Sequence, residues 1–140
     1  FGAAIMLALF FQAARLALVT FDPYLSSYPI AKALKKLPPG TLVFNGQYYA
    51  FSSIPYYTGD EPLLLNGRVN NLEYGSYAPG SPAVFIGDPE FLQIWRQPKR
   101  AYLVTYDEDR KRLETIVGAS YLYLVMTSGG KQLLANSPVR

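Results

Sequence analysis

The sequence predicts an α/β domain, a small three-layer sheet with helices on both faces, preceded by an N-terminal transmembrane-type helix. Three observations predict it. Phe1 to Phe21 is a nearly unbroken apolar run. Beyond it, short apolar runs ("TLVF", "LLL", "AYLV") alternate with helix-patterned segments, which suits central strands covered on both faces. The chain then closes with two strand-like runs joined by Gly129-Gly130, the pattern of a hairpin.

The first element is "FGAAIMLALFFQAARLALVTF". Only Gln12, Arg15 and Thr20 are polar, and the apolar residues lie all round the helix rather than on one stripe. About 20 such residues match the bilayer core. A long buried or amphipathic helix and a signal peptide are the competing readings. The second lacks a basic n-region, and Ala13-Ala14-Arg15 is a poor cleavage site. Arg15 requires a protein neighbour or a snorkelling path to the interface. The chain opens on phenylalanine in mid-run, so a fragment or a processed protein is expected. Type IV pilins begin this way, but they carry glutamate at the fifth position, where Ile5 stands here.

The division expected is a transmembrane-type helix over 1–21 and a soluble α/β domain over 22–140. "DPYLSS" reads as a link, with Tyr24 and Tyr28 suited to the headgroup level. Ser27 or Tyr28 caps a helix with Pro29 in its first turn and Ile30, Leu34 and Leu37 inward. Lys32, Lys35 and Lys36 form its solvated face, and Pro38-Pro39-Gly40 ends it. "TLVF" (41–44) is a strand. Tyr48 to Ile54 reads as a short helix stopped by Pro55. Pro62 to Asn66 and Pro82 to Ile86 are the next apolar strands, the second either a strand or a loop wall. Asp88 caps a helix to Pro98, with Phe91, Leu92 and Trp95 inward. Ala101 to Tyr106 is the clearest strand. Asp107 caps the helix "EDRKRLETIVG", with Leu113, Ile116 and Val117 inward and Gly118 at its exit.

Composition narrows the function. The chain has no cysteine and no histidine, which excludes disulfides, Cys/His zinc sites and catalysis by a thiol or an imidazole. A net charge of +3 with scattered basic residues is too thin for a nucleic-acid footprint. Phosphate-loop and dinucleotide glycine patterns are missing. The acidic cluster Asp107, Glu108 and Asp109 fits a helix N-terminus. No metal site and no cofactor of this chain follow from the residues. Tyrosine stands out at twelve residues, a type suited to surfaces half apolar and half wet.

"LLLNGRVNNLEYGSYAPGSPAVFI" carries the candidate binding residues. Arg68, Asn70, Asn71 and Glu73 offer hydrogen bonds, and Tyr74 and Tyr77 offer flat faces. They follow a buried strand, where open α/β sheets place ligand sites. Such groups suit phosphate-bearing or hydroxyl-rich ligands. The alternative is a self-satisfied loop in which Arg68 pairs with Glu73. Tyr48, Tyr49, Tyr56 and Tyr57 either line the same surface or cap the core.

The run from "DPYLSSYPIAKALKKLPPGTLVFNGQYYAFSSIPYYTG" into "NGRVNNLEYGSYAPG" resembles the C-terminal region of bacterial polytopic glycosyltransferases. These are similar to the protein O-mannosyltransferases and the lipid A aminoarabinose transferase. The resemblance implies a last transmembrane helix followed by a soluble domain on the extracytoplasmic side of the inner membrane. It implies a polyprenyl-phosphate sugar donor and, as partners, the bilayer, the rest of the transferase, and the lipid-linked sugar or the acceptor. The family's catalytic loop has no match here, so no catalytic residue is carried over. The lysines after the helix point the other way, since positive charge marks the cytoplasmic side. A non-enzymatic membrane-tethered module, pilin-like or accessory, is the alternative.

Overall fold

A computed structural model describes residues 2–139. Helix α1 (Gly2–Leu25) carries no buried residue, and it touches the domain through its last turn. Among the described residues it is the one helix long and apolar enough to cross a membrane, with a mean hydropathy of 1.9. It continues four residues past the expected end at Phe21, through Pro23. Proline forgoes a backbone bond there. The last turn is held from outside instead: Lys131 Nζ donates to the carbonyls of Tyr24 (3.1 Å) and Ser26 (3.3 Å). "DPYL" is therefore helix end rather than link.

The domain follows as α2 (Tyr28–Leu34), β1 (Thr41–Asn45), a 3-10 turn (Tyr48–Phe51), α3 (Ser53–Thr58) and β2 (Leu63–Leu65). Then come α4 (Asn71–Gly75), β3 (Phe85–Ile86), α5 (Asp88–Arg96), β4 (Ala101–Tyr106), α6 (Arg110–Val117), β5 (Tyr123–Ser128) and β6 (Lys131–Ala135). The six strands form one sheet in the order β3-β2-β1-β4-β6-β5. β1 pairs in parallel with β2 and β4, and β2 in parallel with β3. The terminal hairpin adds β6 and β5 antiparallel to the edge of β4, as its Gly-Gly turn predicts. Both turn glycines have positive φ, at 55° and 71°, the backbone of a tight hairpin loop.

The period-two alternation of the strands sorts two cores. On one face Leu42, Phe44, Leu64, Tyr102 and Val104 meet Ile30 and Leu34 of α2, Phe51 and Ile54. On the other, Val43, Leu65, Leu103 and Leu134 meet Phe91 and Trp95 of α5 and Leu113 and Val117 of α6. Each fully buried large apolar side chain contributes about 1.5–3 kcal/mol. The α/β class with helices on both faces is thus observed.

Several local expectations change. Pro55 does not stop a helix; it lies in the first turn of α3, where its missing N–H is one that no helix would bond. The helix ends instead at Gly59, in the left-handed region at φ 78°. Ser27 precedes α2 but does not cap it: its Oγ donates to Ala50 O (3.1 Å) and its N–H to Ser53 Oγ (2.9 Å), tying α2 to α3. Gly87, not Asp88, occupies the cap of α5, and its N–H donates to Glu90 Oε2 (3.0 Å). Asp107 opens a 3-10 turn (Asp107–Asp109) ahead of α6 rather than capping that helix. β2 and β3 are shorter than the apolar runs that predict them, and α4 lies in the connection between them.

Candidate functional site

In an open parallel sheet the ends of the strands differ, and ligand crevices form at the carboxyl edge. Two strands end there on the same dipeptide. β1 runs into Asn45-Gly46 and β2 into Asn66-Gly67. Gly46 has φ 84° and Asn66 φ 52°, so both chains turn sharply. At Gly67 a Cβ would lie 2.6 Å from that of Leu64, so only glycine fits.

The turn after β2 delivers the six predicted residues onto one short segment beside this edge. Arg68 is pinned by its Nε, which donates to Ser76 Oγ (3.2 Å). Ser76 Oγ in turn donates to Glu73 O (2.8 Å), and Ser81 Oγ donates to Ser76 O (2.8 Å). The guanidinium lies 5.0 Å from the Phe85 ring centroid and 5.4 Å from that of Tyr77, within cation–π range. The Arg68–Glu73 pairing does not form; the hydroxyl of Ser76 takes its place. Asn70 precedes α4 with φ 52° and makes no side-chain cap. The side chains of Asn70, Asn71 and Glu73 are exposed and form no ion pair among the described residues. Tyr74 is 84% and Tyr77 70% exposed. A hollow of about 330 Å³ lies against Asn66, Gly67, Arg68, Phe85, Ile86 and Gly87. A trough of about 350 Å³, walled by Tyr48, Leu64, Leu72, Pro82, Val84 and Phe85, adjoins it across the Phe85 ring. The segment is therefore half self-satisfied and half open: a fixed guanidinium beside free amides, a carboxylate and two rings.

A second cluster is one that sequence reasoning missed. Asn45, 4% exposed, donates through Nδ2 to Thr105 Oγ1 (3.0 Å) and Asp109 Oδ2 (2.9 Å). Its Oδ1 accepts from Arg112 Nη2 (2.7 Å). Arg112 Nη1 grips both oxygens of Asp88 (3.0 and 3.2 Å), and Asn66 Nδ2 donates to Asp88 Oδ1 (2.8 Å). The network joins the ends of β1, β2 and β4 to α5 and α6. It occupies the switch between β1 and β4, where strand order reverses. No buried side-chain polar atom among the described residues lacks a partner, so the network is satisfied by the chain's own groups. The repeated strand-Asn-Gly was the available signal. Asp109 is thereby assigned within the acidic cluster: it binds Asn45 rather than only favouring a helix end. Among the described residues no three His, Cys, Asp or Glu side chains converge as metal ligands.

The membrane-type helix joins the domain at this same edge. The Asp107 N–H donates to Gly130 O (3.0 Å), which sets the hairpin turn beside the carboxyl end of β4. A Cβ on Gly129 would fall 1.9 Å from Pro23 O, so the turn is in direct backbone contact with α1. Lys131, 1% exposed, completes the junction on the carbonyls of Tyr24 and Ser26. Its burial pushes its pKa below the ordinary lysine value. At the opposite edge burial raises the Tyr102 phenol, partly offset by the Arg100 charge, and its hydroxyl donates to Pro38 O (2.8 Å).

The fold and the site define a class: an α/β domain carried on a long apolar helix that enters at the carboxyl edge of its sheet. Two crystal structures of ArnT from Cupriavidus metallidurans are similar to this chain in fold. The apo structure aligns with a TM-score of 0.62 at 17% identity, over 83% of this chain and 20% of that one. The structure bound to undecaprenyl phosphate aligns with a TM-score of 0.59 at 16% identity, over 78% of this chain and 19% of that one. The likeness is one of fold, and this chain spans about a fifth of those chains' length. No protein-family model and no curated protein sequence matches the chain.

Proposed function

We propose that this chain is the last membrane helix and the C-terminal extramembrane domain of a glycosyltransferase. That enzyme moves a sugar from a polyprenyl-phosphate donor to an acceptor on the extracytoplasmic side. The domain's part is to cover the membrane-embedded site or to help bind the acceptor. The fold shared with ArnT, one of whose structures holds undecaprenyl phosphate, supports the class. The observation that carries the domain's role is the shared edge. Helix α1 docks at the carboxyl edge of the sheet, and the Arg68 segment opens from that edge. A helix that crosses the bilayer then turns Arg68, Asn70, Asn71, Glu73, Tyr74 and Tyr77 towards the membrane.

In this reading the guanidinium, already fixed by Ser76 and two rings, meets phosphate or sugar oxygens at little ordering cost. The free amides of Asn70 and Asn71 meet hydroxyls, and Tyr74 and Tyr77 offer flat faces to sugar C–H surfaces. The reacting groups lie elsewhere in the enzyme. The test is turnover of the complete enzyme with Arg68→Ala and Asn71→Ala. Each is expected to lower kcat/KM for the acceptor by about tenfold, the effect of losing about 1.4 kcal/mol. Unchanged turnover and unchanged acceptor choice in both variants make the segment scaffolding and overturn the role.

A further inference from the structure

Among the described residues nine tyrosines are exposed, and five of them gather where α1 meets the domain. Tyr24 lies in the last turn of α1 and is 63% exposed. Tyr28 opens α2 only three residues beyond that helix, and its ring stands edge-on to that of Tyr57 of α3, with centroids 4.7 Å apart. Tyr57 is edge-on in turn to Tyr56, at 5.0 Å. Tyr49 lies in the 3-10 turn whose Ala50 carbonyl accepts from Ser27, so it flanks the same junction, and it is 55% exposed. None of these rings fills a core. No charged residue lies within Tyr48–Thr58, the segment that carries three of them.

Their height relative to a membrane is set by the helix. At about 1.5 Å per residue, α1 is about 36 Å long, against a hydrocarbon core of about 30 Å. The apolar stretch through Phe21 fills that core, and Asp22 to Leu25 emerges into the headgroup layer. The junction does not let the domain swing away. Gly129 touches the α1 backbone, Lys131 holds the carbonyls of Tyr24 in its last turn and of Ser26 just beyond it, and Ser27 ties α2 to Ala50 and Ser53. Tyrosine rings with apolar bodies and polar tips are the residues that settle at this depth.

We propose that Tyr24, Tyr28, Tyr49 and Tyr57, with Tyr56 at the rim, form an interfacial anchor that lays this side of the domain in the lipid headgroup layer. The occupant of the surface is lipid. The inference rests on α1 spanning the membrane, as proposed above, and adds a second, non-spanning contact that fixes the tilt of the domain over the bilayer.

The test uses the full chain in phosphatidylethanolamine–phosphatidylglycerol vesicles, with one tryptophan added at a time and lipids brominated near the top or the middle of the acyl chain. Native Trp95, buried on the far core, reports that each variant is folded and is subtracted as background. Leu9→Trp reads whether α1 is in the bilayer. Tyr49→Trp and Tyr57→Trp read the anchor, and Tyr123→Trp at the opposite edge of the sheet is the control. The expected result is quenching of Leu9→Trp by mid-chain bromine, about twofold quenching of Tyr49→Trp and Tyr57→Trp by shallow bromine, and none of Tyr123→Trp. If Leu9→Trp is quenched while the two tyrosine sites answer only to aqueous acrylamide, the anchor is overturned and the spanning helix stands. Shielding of those sites from both quenchers assigns the surface to protein and overturns the anchor too. Quenching of Tyr123→Trp to the same degree overturns it as well. An unquenched Leu9→Trp overturns both the anchor and the membrane reading.

Discussion

Asn45 and Lys131 show what single polar residues do in this chain. Asn45 has its amide satisfied on both sides, by Thr105 and Asp109 at one end and Arg112 at the other. Truncation leaves a buried hydroxyl, a carboxylate and a guanidinium short of partners, and such losses cost more than the bonds contribute. Asn45→Ala is expected to destabilise the domain by about 2–4 kcal/mol, measured by denaturant unfolding in detergent. A change below about 0.5 kcal/mol would mean that the network is incidental. Lys131 contributes a pH dependence of definite sign. Its folded pKa lies below the ordinary lysine range because burial disfavours the charged form. Between those two values the unfolded chain binds more protons than the folded one, so stability rises as pH rises through that window. Tyr102 works the other way: its phenol is raised by burial, so stability falls once pH passes the ordinary tyrosine value. The melting temperature should therefore climb as pH rises towards the ordinary lysine value in the native chain, and the climb should vanish in Lys131→Met.

At the scale of elements, the junction between α1 and the hairpin is the least forgiving contact. Gly129 sits at φ 55° with Pro23 O where a Cβ would be, whereas Gly130, at φ 71°, faces open space. The two neighbours thus separate backbone strain from collision. Gly130→Ala carries only the left-handed penalty, roughly 1–2 kcal/mol. Gly129→Ala carries the same penalty and also drives the hairpin off the helix. Limited proteolysis should cut the Leu25–Tyr28 link faster in Gly129→Ala than in Gly130→Ala. Equal rates would show that the hairpin does not hold α1. Elements were otherwise legible where pattern and length agreed. Ala101–Tyr106 is a strand with every residue but the last buried, and the α5 core face of Phe91 and Trp95 follows its spacing. Pro55 and Asp88 were misplaced for one reason. A proline or a cap residue fits several positions of a first turn, and tertiary contacts choose among them. Here Asp88 is drawn to Arg112 and Asn66, and the cap falls to Gly87.

Over the whole molecule, the class of fold was readable because hydrophobic alternation and turn residues are local signals. The candidate segment was readable as a unit, since its six residues lie within ten positions of one another. The sequence could not reveal that Arg68 would choose Ser76 over Glu73, because both lie within a few residues of it and only the folded path of the segment through α4 decides between them. Nor could it reveal the Asn45 network, whose members are spread from residue 45 to residue 112 and meet only when the strand order is known. By itself the sequence determined the long apolar helix, the two-faced α/β domain and the closing hairpin, because each is written in the period and polarity of contiguous residues. The tertiary structure alone decided which edge of the sheet the helix enters. That follows from a buried lysine and a glycine over 100 residues downstream closing on the end of α1, a contact that no local pattern encodes.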